Sequence, residues 1–256
     1  MEKDDATDDD IAEKAFPKDD GAFFDATGLG ASIANRYVAW LDLMGAKNTM
    51  GRSLNRAANY IGKIHAAALA EASNDVEIYP VIDGCYMITE SKDALESALT
   101  ETMTRLASVF VHEDSQVQRF LVRGGIAAGR IIAGRDMMPC SDQLKKHKSY
   151  SSCLAIGTAI GQAYAAESSA PPFGFWVDIT ARAFKTGNSH PFTTTLWRWW
   201  NQKSPEGRLK QEVLGKAIEH YFHWAERNRR LIEYPLDRLC EHRDAAKEYF
   251  NLSDEE

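Results

Sequence analysis

The chain has 256 residues, of which 44% are hydrophobic and 26% charged, with a net charge of −7; this is an ordinary globular profile, long enough for one large domain or two small ones. No apolar run reaches the roughly 20 residues that a membrane helix needs, and the opening "MEKDDATDDDIAEK" is unlike a signal peptide, so no membrane partner and a cytoplasmic location are expected. Nine acidic and three basic side chains fall within residues 1–20. Residues 1–30 are therefore expected to form an acidic disordered leader, and the nearly neutral remainder argues against a nucleic-acid surface. Cys85, Cys140, Cys153 and Cys240 form no CxxC pair, which fits reduced thiols better than disulfides or zinc.

In chain order, "RYVAWLDLMG" reads as a buried strand by its length and its aromatic and β-branched content. A helix is expected over 52–72, with Leu54, Ala58, Ile61, His65 and Ala68 on one face. "VEIYPVI" and "CYMIT" form a hairpin joined at Asp83-Gly84, and Pro80 marks an edge or a bulge. Residues 92–112 read as a helix with Leu95, Leu99, Met103, Leu106 and Phe110 inward. "RFLVRGGIAAGRIIAG" reads as two strands broken by glycines, followed by a polar loop with "KKHK", a small-residue helix at "LAIGTAIGQAYAAES", and a strand at "FGFWVDI". From about Thr195 the chain turns helical and aromatic. Strands and helices in this order give a mixed α/β fold with an antiparallel component.

Asp42 ends an apolar run, where an ionised carboxylate is costly unless it is paired or holds a metal. Asp83 follows about 40 residues later, after one helix and one strand. Strands on either side of a helix are commonly neighbours, so the two carboxylates are expected at one sheet edge. Magnesium takes few protein ligands there and completes its shell with water and phosphate oxygens, while Gly45 permits a tight turn. The plain alternatives are a hairpin turn for Asp83-Gly84 and a helix N-cap for Asp42.

"WLDLMG", "PVIDGCYMIT", "RGGIAAGRIIAG" and "AIGTAIGQAYAAES", in this order and spacing, resemble the four blocks of class III nucleotidyl cyclases over residues 36–180. The resemblance implies a ferredoxin-like βαββαβ core with extra C-terminal helices. It implies catalysis in a homodimer, with two Mg2+ or Mn2+ ions binding a nucleoside triphosphate. By that resemblance Asp42, Leu43 and Asp83 hold the metals, Leu43, Met44 and Gly45 cradle phosphates, and Arg130 grips the triphosphate tail. Its alternative is a surface arginine at a strand end. Residues 31–185 would be the catalytic domain and 186–256 a helical extension packed on it.

The departures carry information too. The family's transition-state Asn and Arg fall at Gly161 and Ala165, and its purine-reading positions at Tyr79 and Leu154. A domain that has lost purine contacts but keeps both aspartates and Arg130 resembles the pyrimidine cyclases of bacterial Pycsar anti-phage systems. That implies UTP, or less readily CTP, as substrate, and a separate effector protein that the cyclic nucleotide activates. Lys47, Arg52, Arg56 and Arg123 are candidates for the missing cation; Lys47, Tyr79 and Arg123 are placed with nucleotide binding. The rival readings are an adenylate or guanylate cyclase with atypical base contacts, or a non-catalytic nucleotide-binding module. "HRDAA" at 242–246 reads as a helix surface, His220 and His223 lack a third metal ligand, and "LWRWW" reads as packing or a dimer interface.

Overall fold

The computed structural model describes residues 23–187, 189–201, 211–232 and 234–252; most of the expected acidic leader, residues 1–22, lies outside them. Contacts divide the chain into two units, one built from 34–131 and 155–256, the other from 1–33 and 132–154.

The larger unit is a mixed α/β sheet structure. Strand β1 is Ala34–Leu43, followed by helices α1 (Ala46–Arg52) and α2 (Leu54–Leu69), strands β2 (Glu77–Val81) and β3 (Gly84–Thr89), helix α3 (Lys92–His112) and strand β4 (Val122–Ala133). Strand β5 (Ala155–Gly157), helix α4 (Thr158–Glu167), strands β6 (Phe175–Val177) and β7 (Leu196–Trp197), and helices α5 (Gln211–Arg227) and α6 (Leu236–Phe250) complete it. The sheet order is β2-β3-β1-β4-β6-β7, with β5 also on β4. The pairings β2–β3, β3–β1 and β1–β4 are antiparallel, and β4–β6 is parallel. Strand order and direction are those of the expected βαββαβ core, with helices added after it.

Strand alternation sends odd positions of β1 to one face and even positions to the other. On the first face, Tyr37, Ala39 and Leu41 join one large core with the inner stripes of α2 and α3. Leu95, Leu99, Met103, Leu106 and Phe110 are all buried, as their helical spacing predicts. The stripe expected on α2 is displaced: Ala57, Tyr60, Ile64, Ala67 and Ala68 are buried, whereas Leu54 is 71% exposed. Tyr60 and Ile64 are the largest of these buried side chains and set the face; Leu54 sits just after the Ser53 cap, whose side chain accepts the Arg56 amide. The same core continues into α5 and α6. Trp199 Nε1 donates to the Phe173 carbonyl at 2.8 Å, and Trp200 stacks on Phe250, so the "LWRWW" aromatics pack within the chain.

On the second face a smaller core holds Val38, Trp40, Tyr79, Ile88 and Ala127 against Ala159 and Ala163 of α4. The glycines expected to break "RFLVRGGIAAGRIIAG" do not break it: β4 is one continuous strand. They serve close approach instead. A Cβ at Gly125 would lie 2.1 Å from the Ala163 carbonyl oxygen and 2.7 Å from the Glu167 amide, and one at Gly124 would enter the Phe175 ring. Gly84 is likewise a packing glycine. The β2–β3 connection is Ile82-Asp83, and a Cβ on Gly84 would meet the Leu41 carbonyl and the Trp40 indole.

Within the smaller unit, the Asp25 amide donates to the Cys140 carbonyl at 2.7 Å. The "KKHK" residues, expected as a loop, lie in and between the short helices Asp142–Lys146 and Lys148–Ser151. The buried Ser151 hydroxyl donates to the Leu144 and His147 carbonyls.

Two glycine substitutions separate packing from propensity. Gly125→Ala should destabilise the protein by about 3 kcal/mol or more in urea denaturation, because backbone must move. Gly161→Ala, on an exposed helical turn with open space around it, should stabilise by up to about 1 kcal/mol.

Candidate functional site

Asp42 is the penultimate residue of β1 and pairs with Gly84 on β3 and Arg123 on β4. Asp83 occupies the turn immediately before Gly84. The strand, helix, strand spacing therefore brings both aspartates to one end of the sheet. Alternation also puts Asp42, Trp40 and Arg123 on the face that α4 covers.

A third carboxylate arrives from α4. Glu167 is the last residue of that helix, is 7% exposed, and accepts a hydrogen bond from Arg123 Nε. Burial pushes the Asp42 carboxyl up to about 7, and the Glu167 and Asp83 charges add to the shift; Arg123 and the Leu43 amide oppose it. Glu167 is also raised, by burial first, with Arg123 pulling the other way. Nothing in "YAAES" marks this glutamate as part of the site, because its role depends on how closely α4 lies on Gly125.

Arg123 continues outward into a polar chain. Its Nη1 donates to the Ser168 carbonyl at 3.3 Å and faces His242 Nε2 at 3.5 Å, while Tyr234 Oη lies 2.6 Å from His242 Nδ1. Burial and then the Arg123 charge push His242 down to about 4. The ring is neutral at pH 7, so Nε2 is the acceptor facing the guanidinium and Nδ1–H donates to Tyr234. His242 is thus part of an interior network, not the helix surface that "HRDAA" suggested.

The other expected residues divide. Gly45 has the left-handed φ of 75° that the turn after β1 requires. The phosphate cradle at Leu43 to Gly45 is only partly free: the Met44 amide donates to the Leu121 carbonyl at 2.9 Å, and the Leu43 amide to Asp42. Lys47 is exposed on α1. Tyr79 is buried in the smaller core, and its hydroxyl donates to Glu77 Oε2 at 2.5 Å. Arg130 pairs with Asn35, seven residues along β4 from Arg123. That is about 23 Å from the Asp42 end, and on the opposite face of the strand. Within one chain Arg130 does not join the aspartates; Arg123 does.

Among the described residues no group of three His, Cys, Asp or Glu side chains converges as a preformed metal cage. The donor chemistry nevertheless fits a hard cation that uses few protein ligands. Asp42 and Asp83 repel each other at one strand end, and a bound Mg2+ or Mn2+ would relieve that repulsion while substrate phosphates complete its shell.

His242 gives this network a pH signature. The unfolded imidazole takes a proton near 6.5 and the folded one only near 4, so the unfolded chain binds more protons between those values. Stability from this group is full above 6.5 and lost as pH falls towards 4. Arg123, Tyr234, Glu241 and Arg238 are the charged and titratable groups that surround it. Thermal unfolding of His242→Gln should therefore show a shallower loss of Tm from pH 6.5 to 4 than the unsubstituted protein; equal slopes would remove His242 as the cause.

No family model and no curated protein matches the sequence. Among solved structures, the chain is similar to a bacterial light-regulated adenylyl cyclase, at 12% identity and a TM-score of 0.43 over 56% of this chain and 76% of that one. It is similar to an adenylate/guanylate cyclase/hydrolase from Silicibacter pomeroyi, at 17% identity and 0.42 over 59% and 79%. A second light-regulated adenylyl cyclase structure aligns at 14% identity and 0.42 over 56% of this chain and 43% of the other. Likeness at this level is one of backbone, and the functional reading rests on the side chains at the Asp42 edge.

Proposed function

We propose that the chain is a cytoplasmic nucleotidyl cyclase that works as a homodimer and converts UTP, or less readily CTP, to the 3',5'-cyclic nucleotide and pyrophosphate. The observation that carries this reading is the meeting of Asp42 and Asp83 at one sheet end, where burial and neighbouring carboxylates resist the ionisation of Asp42. Such a cluster has little structural purpose without a cation to hold.

Asp42, Asp83 and the Leu43 carbonyl would hold Mg2+ or Mn2+. When bound, paired cations supply charge stabilisation to the attacking ribose 3'-oxygen and the departing pyrophosphate together. Arg123 adds a fixed guanidinium at the same edge, and its Nε bond to Glu167 holds its plane. It is the candidate, among those considered from the sequence, that the fold sets beside Asp42. Tyr86 and the 59%-exposed Tyr164, both packed against the buried Trp40 ring at 4.6 and 5.9 Å, give the same face an aromatic wall next to the edge. An aromatic wall without a reading lysine suits a small base held by stacking. Arg130, remote from Asp42 in its own chain, serves the triphosphate only in a composite site completed across a dimer. The Pycsar resemblance supports a product that acts as a second messenger in anti-phage defence on a separate effector.

Incubation with Mn2+ and each of ATP, GTP, CTP and UTP, with products identified by mass spectrometry, should give cyclic UMP or cyclic CMP. A purine product would keep the cyclase and overturn the base preference; no product would favour a binding module. Asp42→Ala or Asp83→Ala should lower turnover at least about 100-fold with the fold retained. Mixing Asp42→Ala with Arg130→Ala chains should restore about a quarter of the activity after subunit exchange, since half the dimers would then carry one intact composite site. No recovery would remove Arg130 from the site.

A further inference from the structure

A guanidinium has three nitrogens, all donors, and those of Arg123 are engaged unequally. Its Nε donates to Glu167 at the end of α4, and its Nη1 donates to the Ser168 carbonyl at 3.3 Å and faces His242 Nε2 at 3.5 Å. Nη2 has no hydrogen-bond partner among the described residues. Two sides of the group are thus held by the protein, and the third belongs to a charge that already acts on Asp42.

The outer part of this clamp comes from the C-terminal helices. His242 lies on α6, eight residues after Tyr234 in the connection that joins α5 to α6. Tyr234 is seated by its amide, which donates to the Arg229 carbonyl at 3.2 Å, and by the Phe222 ring at 6.4 Å. The same connection is tied to the core a second time, where Arg52 at the end of α1 donates to the Leu231 carbonyl at 2.8 Å.

The protons in this chain have one consistent arrangement. Arg123 only donates, so the imidazole nitrogen that faces it must accept, and the ring proton sits on Nδ1 with the Tyr234 oxygen 2.6 Å away as its acceptor. The Tyr234 oxygen therefore selects the tautomer. Without it the opposite tautomer would aim Nε2–H at Nη1–H, donor against donor, and the guanidinium would lose its hold on that side.

We propose that Tyr234 and His242 are positioning residues for Arg123: the Tyr234 oxygen fixes the His242 tautomer, His242 Nε2 holds the Nη1 side of the guanidinium, and Nη2 is left as the donor to the substrate's phosphate oxygens. What Arg123 does to substrate rests on the cyclase reading; how Arg123 is held rests on the geometry alone. The helices that follow the βαββαβ core then form part of the active site. A guanidinium set in advance stabilises developing phosphate charge without reorganising during the reaction, so losing the clamp lowers turnover more than ground-state binding.

The test has two readouts on the full chain. In protein labelled with 15N-arginine and 15N-histidine, Arg123→Lys and His242→Gln identify the signals by their loss. The unsubstituted protein should show His242 protonated on Nδ1 and separate Arg123 Nη1 and Nη2 resonances, the mark of restricted rotation. Tyr234→Phe should move the ring proton to Nε2, and both Tyr234→Phe and His242→Leu should merge the Nη resonances. In turnover with Mn2+ and UTP, His242→Leu should lower kcat at least about tenfold and Tyr234→Phe about threefold, with KM within about twofold. His242→Gln should recover most of the rate lost in His242→Leu, because its amide oxygen accepts where Nε2 did. Thermal melting checks each fold, and Tyr234→Phe, which keeps the ring, carries the test if His242→Leu does not fold. A ring proton on Nε2 in the unsubstituted protein would overturn the proposal. So would Nη resonances that stay separate in the variants, an unchanged kcat in both, or a Gln variant no faster than the Leu one. If none of the four triphosphates gives product, the cyclase reading fails, and the NMR readout alone decides whether Tyr234 and His242 hold Arg123.

Discussion

The site depends on a close approach that only glycine permits. Around Asp42, the sheet carries Gly84 on one neighbour and Gly124 and Gly125 next to Arg123 on the other. A Cβ at Gly125 would lie 2.1 Å from a helical carbonyl, so the missing side chain sets how near α4 can come to β4. That spacing brings Glu167 onto Arg123, and both then act on Asp42. Gly84 has the matching role on the other side, where the Trp40 indole lies against its backbone. Small residues on α4, Ala159 and Ala163, complete the fit.

With that geometry fixed, charge decides what the edge can do. Three carboxylates and one guanidinium share a partly buried corner, and the sum leaves Asp42 reluctant to ionise. The corner is polarised towards cations on the aspartate side. Across Arg123 the sign reverses: Arg52, Arg56, Arg119 and Arg238 line the cavity that it also borders. The neutral His242, bonded to Tyr234, lets the Arg123 guanidinium sit in the interior without meeting a second positive charge. Helix α6, the source of His242, thereby reaches the site from the far end of the chain.

Much of the scaffold was legible because it rests on local periodicity. The α3 stripe from Leu95 to Phe110, the β1 run ending at Asp42 and the hairpin carrying Asp83 all follow from patterns of period 3.6 or 2. The α2 face was misjudged because alanines at several positions give a weak stripe, and Tyr60 and Ile64 then choose the orientation. The β4 glycines looked like breaks because local chemistry favours turns at glycine. Their actual partners, Ala163, Glu167 and Phe175, are 38 to 51 residues away in sequence.

The sequence by itself determined the strand, helix and hairpin order as far as α3 and the placing of Asp42 and Asp83 at one sheet end, since a strand, a helix and a hairpin leave few topologies. It also determined Gly45 as the turn after β1, where a positive φ excludes most side chains. Only the tertiary structure decided which cation stands beside them. Arg123 and Arg130 lie on the same strand and look alike in sequence, yet seven residues of strand and the parity of alternation put one at the carboxylates and the other at the far end, on the other face. Glu167 and His242 were likewise beyond sequence reading. Their roles come from long-range packing of α4 and α6, and no local pattern encodes a contact between a helix end and a strand that dozens of residues separate.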